Sequence, residues 1–448
     1  MATVLAANLD ERDAVAADFA RVAAGLPGAR LPWLARIRRD ALDRFVAAGL
    51  PTTREEEWKY TNVGALARQP YTVTGTDAPM PDVAVETFTF GLDAHRVVFV
   101  DGRFAPALSR IGALPDGCVV ASLADVLARD DGELEAVLGA NAQHTIFSAL
   151  NAAFMADGLY VRLPRNAVLD VPVHALFVTT RDEVVTQARN VVIAEPGAQA
   201  LVIEHHVAAG ATRYFTNAVT QLVAQPKSAI THVKLQQEGM SAYHVAGVHA
   251  TQAAASRFAS HSIALGAALS RADITTGFEA DGCEAELTGL YLAGGRQHVD
   301  HHTRIDHVKP HGTSREYYKG VLDDGARGVF NGKIVVHPGA QKTDAHLANH
   351  NLLLSKSAEI DTKPELRIDA DDVKCAHGAT VGQLDEAALF YLRSRAIDAG
   401  TARALLTYAF AHDVIERIRV APLRGALEQV LFSRLPQGDR LRELDRPT

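Results

Sequence analysis

Apolar positions change their period twice along the chain. Over the first fifty residues they recur at helical spacing. Residues 10–24 are Ala-rich, and Leu34, Ile37, Leu42, Phe45 and Val46 then share one broad helical face. Gly49-Leu50-Pro51 ends that helix, because Pro cannot continue it. Residues 95–140 read as mixed. Residues 96–100 form a short strand, Asp101-Gly102 a turn, and Ser122 an N-cap for a helix over 123–128. Residues 147–155 read as a further short helix.

From about residue 159 to 381 the period falls to two. Turn signals recur at Pro196-Gly197, Lys227-Ser228, Asp281-Gly282, Asp324-Gly325 and Lys356-Ser357. Several open a similar phrase, a small or polar residue followed by alternating apolar positions. Examples are Gly197-Ala198-Gln199-Ala200-Leu201-Val202 and Ser228-Ala229-Ile230-Thr231-His232-Val233. Short strands repeated without long helices between them point to a β-solenoid, with a β-sandwich as the alternative. At Asp385, a good N-cap, the period becomes helical again through Leu389, Leu392 and Arg393, and Gly400 ends that segment. Thr401 caps a second helix bearing Leu405, Tyr408, His412, Ile415 and Ile418. Pro422 starts a third with Leu427, Val430 and Leu431. Such stripes are usually core packing; the other reading is a face that docks a partner. The pattern divides the chain into a helical and mixed α/β region (1–155), a β-core (156–384) and a helical tail (385–448).

Composition narrows the function classes. With 448 residues, 48% apolar and 22% charged, the chain reads as a soluble globular protein with a large core. A net charge of −8 without a dense basic run argues against a nucleic-acid partner. No apolar run reaches the roughly 18 residues of a membrane span, and the start of the chain lacks the apolar stretch of a secretory signal. The three cysteines, Cys118, Cys283 and Cys375, form neither a Cys-x-x-Cys pair nor a disulfide framework. That usage predicts a reducing, cytoplasmic setting.

The candidate chemistry sits where the β-core meets the tail, in Asp372-Val373-Lys374-Cys375-Ala376-His377-Gly378-Ala379-Thr380. On a strand, Val373, Cys375 and His377 share a face. A thiolate and an imidazole are ligands that iron, zinc and copper accept. Spacing alone favours a plainer reading, a buried Cys beside a hydrogen-bonded His. A second cluster, His298, His301, His302, His307, His311, His337, His346 and His350 with Asp300, Asp306 and Asp344, would suit a cupin-like metalloenzyme. The alternative is a ladder of polar side chains on solenoid strands. Arg54-Glu55-Glu56-Glu57-Trp58-Lys59-Tyr60-Thr61 reads as a solvated charge cluster anchored by Trp58 and Tyr60. Gly332-Lys333 is followed by Ile334 and lacks the upstream glycine of a P-loop, and no Gly-x-Ser-x-Gly elbow occurs. Nothing identifies a self-sufficient catalyst.

Several of these segments resemble one family. Lys374 to Gly382, with Asp385-Glu386 and Leu389-Phe390-Tyr391-Leu392-Arg393-Ser394-Arg395, is similar to the SufB/SufD family of the SUF iron–sulfur cluster assembly machinery. So are Asp300-His301-His302-Thr303, Tyr318-Lys319-Gly320-Val321-Leu322, Phe330-Asn331-Gly332-Lys333-Ile334, Ala340-Gln341-Lys342-Thr343-Asp344-Ala345 and Asn349-His350-Asn351-Leu352-Leu353-Leu354-Ser355. The Glu-x-Trp-Lys-Tyr-Thr segment fits as well. His377-Gly378-Ala379-Thr380 lies on the SufD side, since SufB usually carries His-Glu-Ala-Thr.

The resemblance implies a right-handed parallel β-helix between helical regions, and a non-catalytic scaffold. Its partners would be a SufB-like paralogue and a SufC-like ATPase docking on the helical tail at 385–448. A cysteine desulfurase would feed sulfur through SufB, and the isolated chain could form a homodimer. His377 and Cys375 would face a nascent iron–sulfur cluster or iron at the SufB interface, with reduced flavin an associate of some such complexes. A SufB-type sulfur acceptor is disfavoured by the few cysteines and by Gly378. A β-helix carbohydrate enzyme would show a groove with paired carboxylates.

Overall fold

The computed structural model describes residues 11–69, 71–73, 79–129, 132, 134–140, 145–435 and 437–444. Helices α1 (Glu11–Val22) and α2 (Pro32–Ala48) open the chain. Pro32 occupies the first turn of α2, where its missing N–H costs nothing. The Gly49 N–H closes the other end on Phe45 O at 2.7 Å, with φ at +72°. The buried face is Leu34, Ile37, Ala41 and Phe45; Leu42 is only partly covered. Residue Asp10, where the predicted first helix starts, lies outside the described residues.

The mixed region holds β1 (Thr72–Val73), β2 (His95–Val100), β3 (Arg103–Phe104) and β4 (Val119–Ser122). Asp101 and Gly102, both at positive φ, turn β2 into β3. Ser122 Oγ accepts from the Asp125 N–H and caps α3 (Leu123–Arg129). Then come α4 (Leu134–Gly139) and α5 (Ile146–Phe154), the latter buried along its length.

Strands β5 (Leu159–Leu163), β6 (Val173–Thr179), β7 (Val184–Thr186) and β8 (Arg189–Ala194) start a solenoid. It continues through β9 (Gln199–Ala208), β10 (Phe215–Ala224), β11 (Ala229–Gln237), β12 (Tyr243–Gln252), β13 (Arg257–Ala264), β14 (Leu269–Phe278) and β15 (Glu284–Ala293). Strands β16 (His298–His307), β17 (Thr313–Leu322), β18 (Arg327–Val336), β19 (Asp344–Leu353), β20 (Glu359–Ile368) and β21 (Lys374–Gly382) complete it. Even and odd strands from β8 onwards alternate between two sheets. Each strand pairs in parallel with its equivalent one turn on, 26 to 32 residues away. Parallel pairing throughout this stretch excludes the β-sandwich, whose sheets are antiparallel. The predicted turns are the solenoid corners, several with left-handed residues such as Gly197, Lys227, Gly282 and Asp324.

Alternation gives each strand an inward and an outward line. Inward, Val202, Ile230, Phe258, Leu287, Ile305, Phe330 and Leu347 stack into one core. Outward, Ile203, Val233, Leu235, Ile263 and Leu290 of the odd sheet are covered by the tail. That tail is α6 (Glu386–Ser394), α7 (Ala399–Ile415), α8 (Ala421–Arg434) and α9 (Gly438–Leu444). Asp385 caps α6, as its position predicts, accepting from the Ala387 N–H at 2.8 Å. The cap of α7 is Asp398 rather than Thr401: its carboxylate accepts from the Thr401 N–H and hydroxyl, and Gly400 falls inside the helix. The stripe Val414, Ile415, Ile418, Leu427 and Leu431 is packing against the solenoid, so it is not a free docking face. Among the described residues no helix is long and apolar enough to cross a membrane.

Candidate functional site at the terminal rung

Strands β20 and β21 end the two sheets. Among the described residues β20 pairs only with β18 and β21 only with β19, so one edge of each is unpaired. An open edge presents a row of N–H and C=O groups that another strand can pair with. Cys375 lies opposite Ala345 and His377 opposite Leu347. Both neighbours belong to the interior line, so Cys375 and His377 occupy inward positions on β21. Cys375 is half-buried and packs, with Val373, against the end of the core. His377, one step further along, is exposed.

Burial pushes the Cys375 thiol above its usual range. The Ala345 backbone opposes this and Asp344 reinforces it. The thiol is therefore protonated at neutral pH and must lose its proton before it can bind a metal. Around it, Asp344 is held by Arg315 at 2.7 Å and lies 3.1 Å from His346 Nε2, and Lys342 pairs with Asp372. His350 Nδ1 on β19 lies 2.8 Å from Thr380 Oγ1, its register partner on β21.

The eight histidines between 298 and 350 do not converge. His298 lies 2.9 Å from Thr61 Oγ1, and His302 lies near Asp300 and Glu57. His301 and His307 are inside the solenoid beside Ser262 and Ser314, and His337 meets Asp306. The cupin-like reading fails on this dispersal and on the parallel sheets. Instead the solenoid spreads successive histidines over two faces and several turns.

The segment around Trp58 is more than a solvated cluster. Trp58 is buried, with the Arg271 guanidinium 3.7 Å from its ring centre. Arg271 Nη1 donates to Glu57 O at 2.7 Å and to Asp300 Oδ2 at 3.0 Å, and Thr61 Oγ1 donates to Asp300 at 2.6 Å. Burial alone would lower the His302 pKa, but Asp300 and Glu57 outweigh it and raise it to about 9. Lys363 Nζ on β20 donates to Glu56 at 2.6 Å. The segment thus clasps three rungs of the even sheet and reaches the terminal one. Sequence reading missed Arg271 and Asp300 in this role; the alternation His298-Val299-Asp300-His301-His302 was the available signal.

These features define a parallel β-solenoid protein with a half-buried thiol and an exposed imidazole at an unpaired sheet end. The family model for the SUF system FeS cluster assembly, SufBD core domain, matches residues 177–410, and that for the SufBD protein N-terminal region matches 18–175. The chain belongs to the SufBD family of iron–sulfur cluster assembly proteins. It is 35% identical over 410 residues to a SufBD family iron–sulfur cluster assembly protein of Synechocystis sp., covering 89% of this chain and 90% of that protein. It is 34% identical over 406 residues to the iron–sulfur cluster assembly protein SufD of Escherichia coli, covering 89% and 92%. With SufD of Bacillus subtilis it shares 26% identity over 416 residues, covering 89% and 92%.

Proposed function

We propose that the chain is a SufD-type scaffold subunit that pairs end to end with a SufB-like paralogue and works with a SufC-like ATPase. On this reading the nascent cluster is cargo, assembled where the two solenoids meet, and His377 and Cys375 are this chain's contribution to it. One observation carries the proposal: both open strand edges lie at the same end of the solenoid as the inward-facing Cys375 and exposed His377. A partner strand added to β21 would bring a second set of side chains alongside His377.

The two residues are not equivalent. A neutral imidazole binds iron without losing a proton, whereas the Cys375 thiol, raised by burial, must be deprotonated first. Thiolates supplied by the partner would also replace Cys375 more readily than they would the imidazole of His377. The test is co-expression of His377→Ala and Cys375→Ala with the SufB-like and SufC-like partners, measuring complex yield, melting temperature, bound iron and sulfide. The expected outcome is an intact His377→Ala complex of near-normal stability with little cluster, and a Cys375→Ala complex that keeps part of it. A normal cluster load in His377→Ala, or loss of the complex itself, overturns the assignment.

A further inference from the structure

The interior of the early turns holds charge. Inward positions on β9 and β11 carry Glu204, His206, His232, Lys234 and Gln236. Glu238 follows β11, and His244 faces them from β12. All are buried. Ionised groups in such an interior cost several kcal/mol each unless they are partnered. Glu204 is. Thr220 Oγ1 donates to it at 2.5 Å, His206 Nε2 and His232 Nε2 lie at 2.7 and 3.1 Å, and Lys234 Nζ is 3.7 Å away.

Glu238 is different. Its hydrogen-bond donors are Thr216 Oγ1 at 2.6 Å and Gln236 Nε2 at 3.0 Å, both neutral groups. His244 Nδ1 lies 2.7 Å from Glu238 Oε2, yet that nitrogen has no partner in hydrogen-bond geometry. A ring nitrogen and a carboxylate oxygen this close either share a proton or hold one ion between them. Ligand atoms of His206, Glu238 and His244 all lie within 4.8 Å of one another. The remaining ring nitrogens are already engaged: Glu204 holds His206 Nε2, and Lys234 Nζ lies 2.7 Å from His244 Nε2. A carboxylate behind a ligating imidazole, as Glu204 stands behind His206, is characteristic of metal centres.

We propose that His206, Glu238 and His244 form a structural site for one divalent first-row transition metal. Two imidazoles and a carboxylate suit Zn²⁺ or Fe²⁺. The two carboxylates and one ammonium of the cluster leave a formal charge of −1. A dication that displaces one proton from the Lys234–His244 pair brings it to zero. The ligands come from β9, from the corner after β11 and from β12, so the ion ties successive turns and both sheets together. With all three side chains buried, the metal is taken up as the chain folds.

The test uses the full chain carrying Cys375→Ala and His377→Ala, so that metal at the terminal rung is not counted. Protein is purified from Zn²⁺-supplemented cells, and is also refolded from denaturant with and without Zn²⁺. Metal content and melting temperature are measured. About one zinc per chain is expected, with a higher melting temperature for the metal-refolded sample. Glu238→Gln and His206→Asn are each expected to lower the loading about tenfold or more. Should either variant fail to fold, the refolding comparison on the parent chain decides. Zinc below about 0.1 per chain in both preparations means the cluster is closed by a proton alone, and overturns the site. Loading that Glu238→Gln leaves unchanged, or equal melting temperatures with and without Zn²⁺, overturns it too.

Discussion

Glu316 shows how a single interior position ties stability to pH. It sits at an inward position on β17 with one oxygen accepting from Thr303 Oγ1 at 2.5 Å and the other unpaired. Burial pushes its pKa up to about 8, and the Thr303 hydrogen bond offsets only part of that. An unfolded glutamate loses its proton near pH 4.3. Between these two values the folded chain holds a proton that the unfolded chain has released. The stability that this proton contributes is therefore full below about pH 4 and is lost as the pH rises towards 8. Glu316→Gln keeps an acceptor for Thr303 and removes the titration. The variant should match the parent near pH 4 and melt several degrees higher at pH 8. A melting-temperature difference that stays flat across this range would remove Glu316 as the cause. The sequence showed Glu316 only as one polar position among alternating ones. Alternation separates the two faces of a strand but does not say which is inside when both are partly apolar. For the same reason Glu204, His206 and Glu238 could not be recognised as interior.

At the scale of elements, local chemistry was legible and long-range contact was not. Ser122 and Asp385 cap the helices they precede, because a cap is a matter of two or three residues. Thr401 was misread for the same reason: Asp398, three residues earlier, is an equally good cap, and spacing does not separate them. Trp58 meets Arg271 more than two hundred residues away, and no local pattern announces such a contact. The tail needs a revised view of partner docking. Its apolar stripe is spent on the solenoid, whereas α6 leaves Phe390 and Tyr391 74% and 56% exposed. Aromatic side chains are the usual anchors of a helix docked in a groove. Under the proposed reading, Phe390→Ser with Tyr391→Ser should weaken capture of the SufC-like ATPase at least tenfold, a loss of about 1.4 kcal/mol or more. The melting temperature should barely move, since neither ring is in the core. Unchanged capture in a pull-down would place the ATPase contact elsewhere.

For the whole molecule, the decisive feature is that each rung rests on its neighbours along one axis. Stability in such a stack is a sum of nearest-neighbour terms. A middle rung is gripped from both sides. The rung that holds Cys375 and His377 is gripped from one side only, and opens at the lowest free energy, as chain ends and edge strands do. Amide protons of 374–382 should therefore exchange with deuterium fastest among the solenoid strands, and those of β11 to β15 slowest. Addition of the SufB-like partner should slow exchange at 374–382 most, while the central turns barely change. Equal protection of terminal and central rungs in the isolated chain would contradict this gradient. If the gradient holds, then under the proposed pairing the thiol and imidazole fray in the lone subunit and are fixed in place once a second solenoid caps them. A subunit without its partner would then hold iron poorly, so that cargo is not loaded onto an orphan.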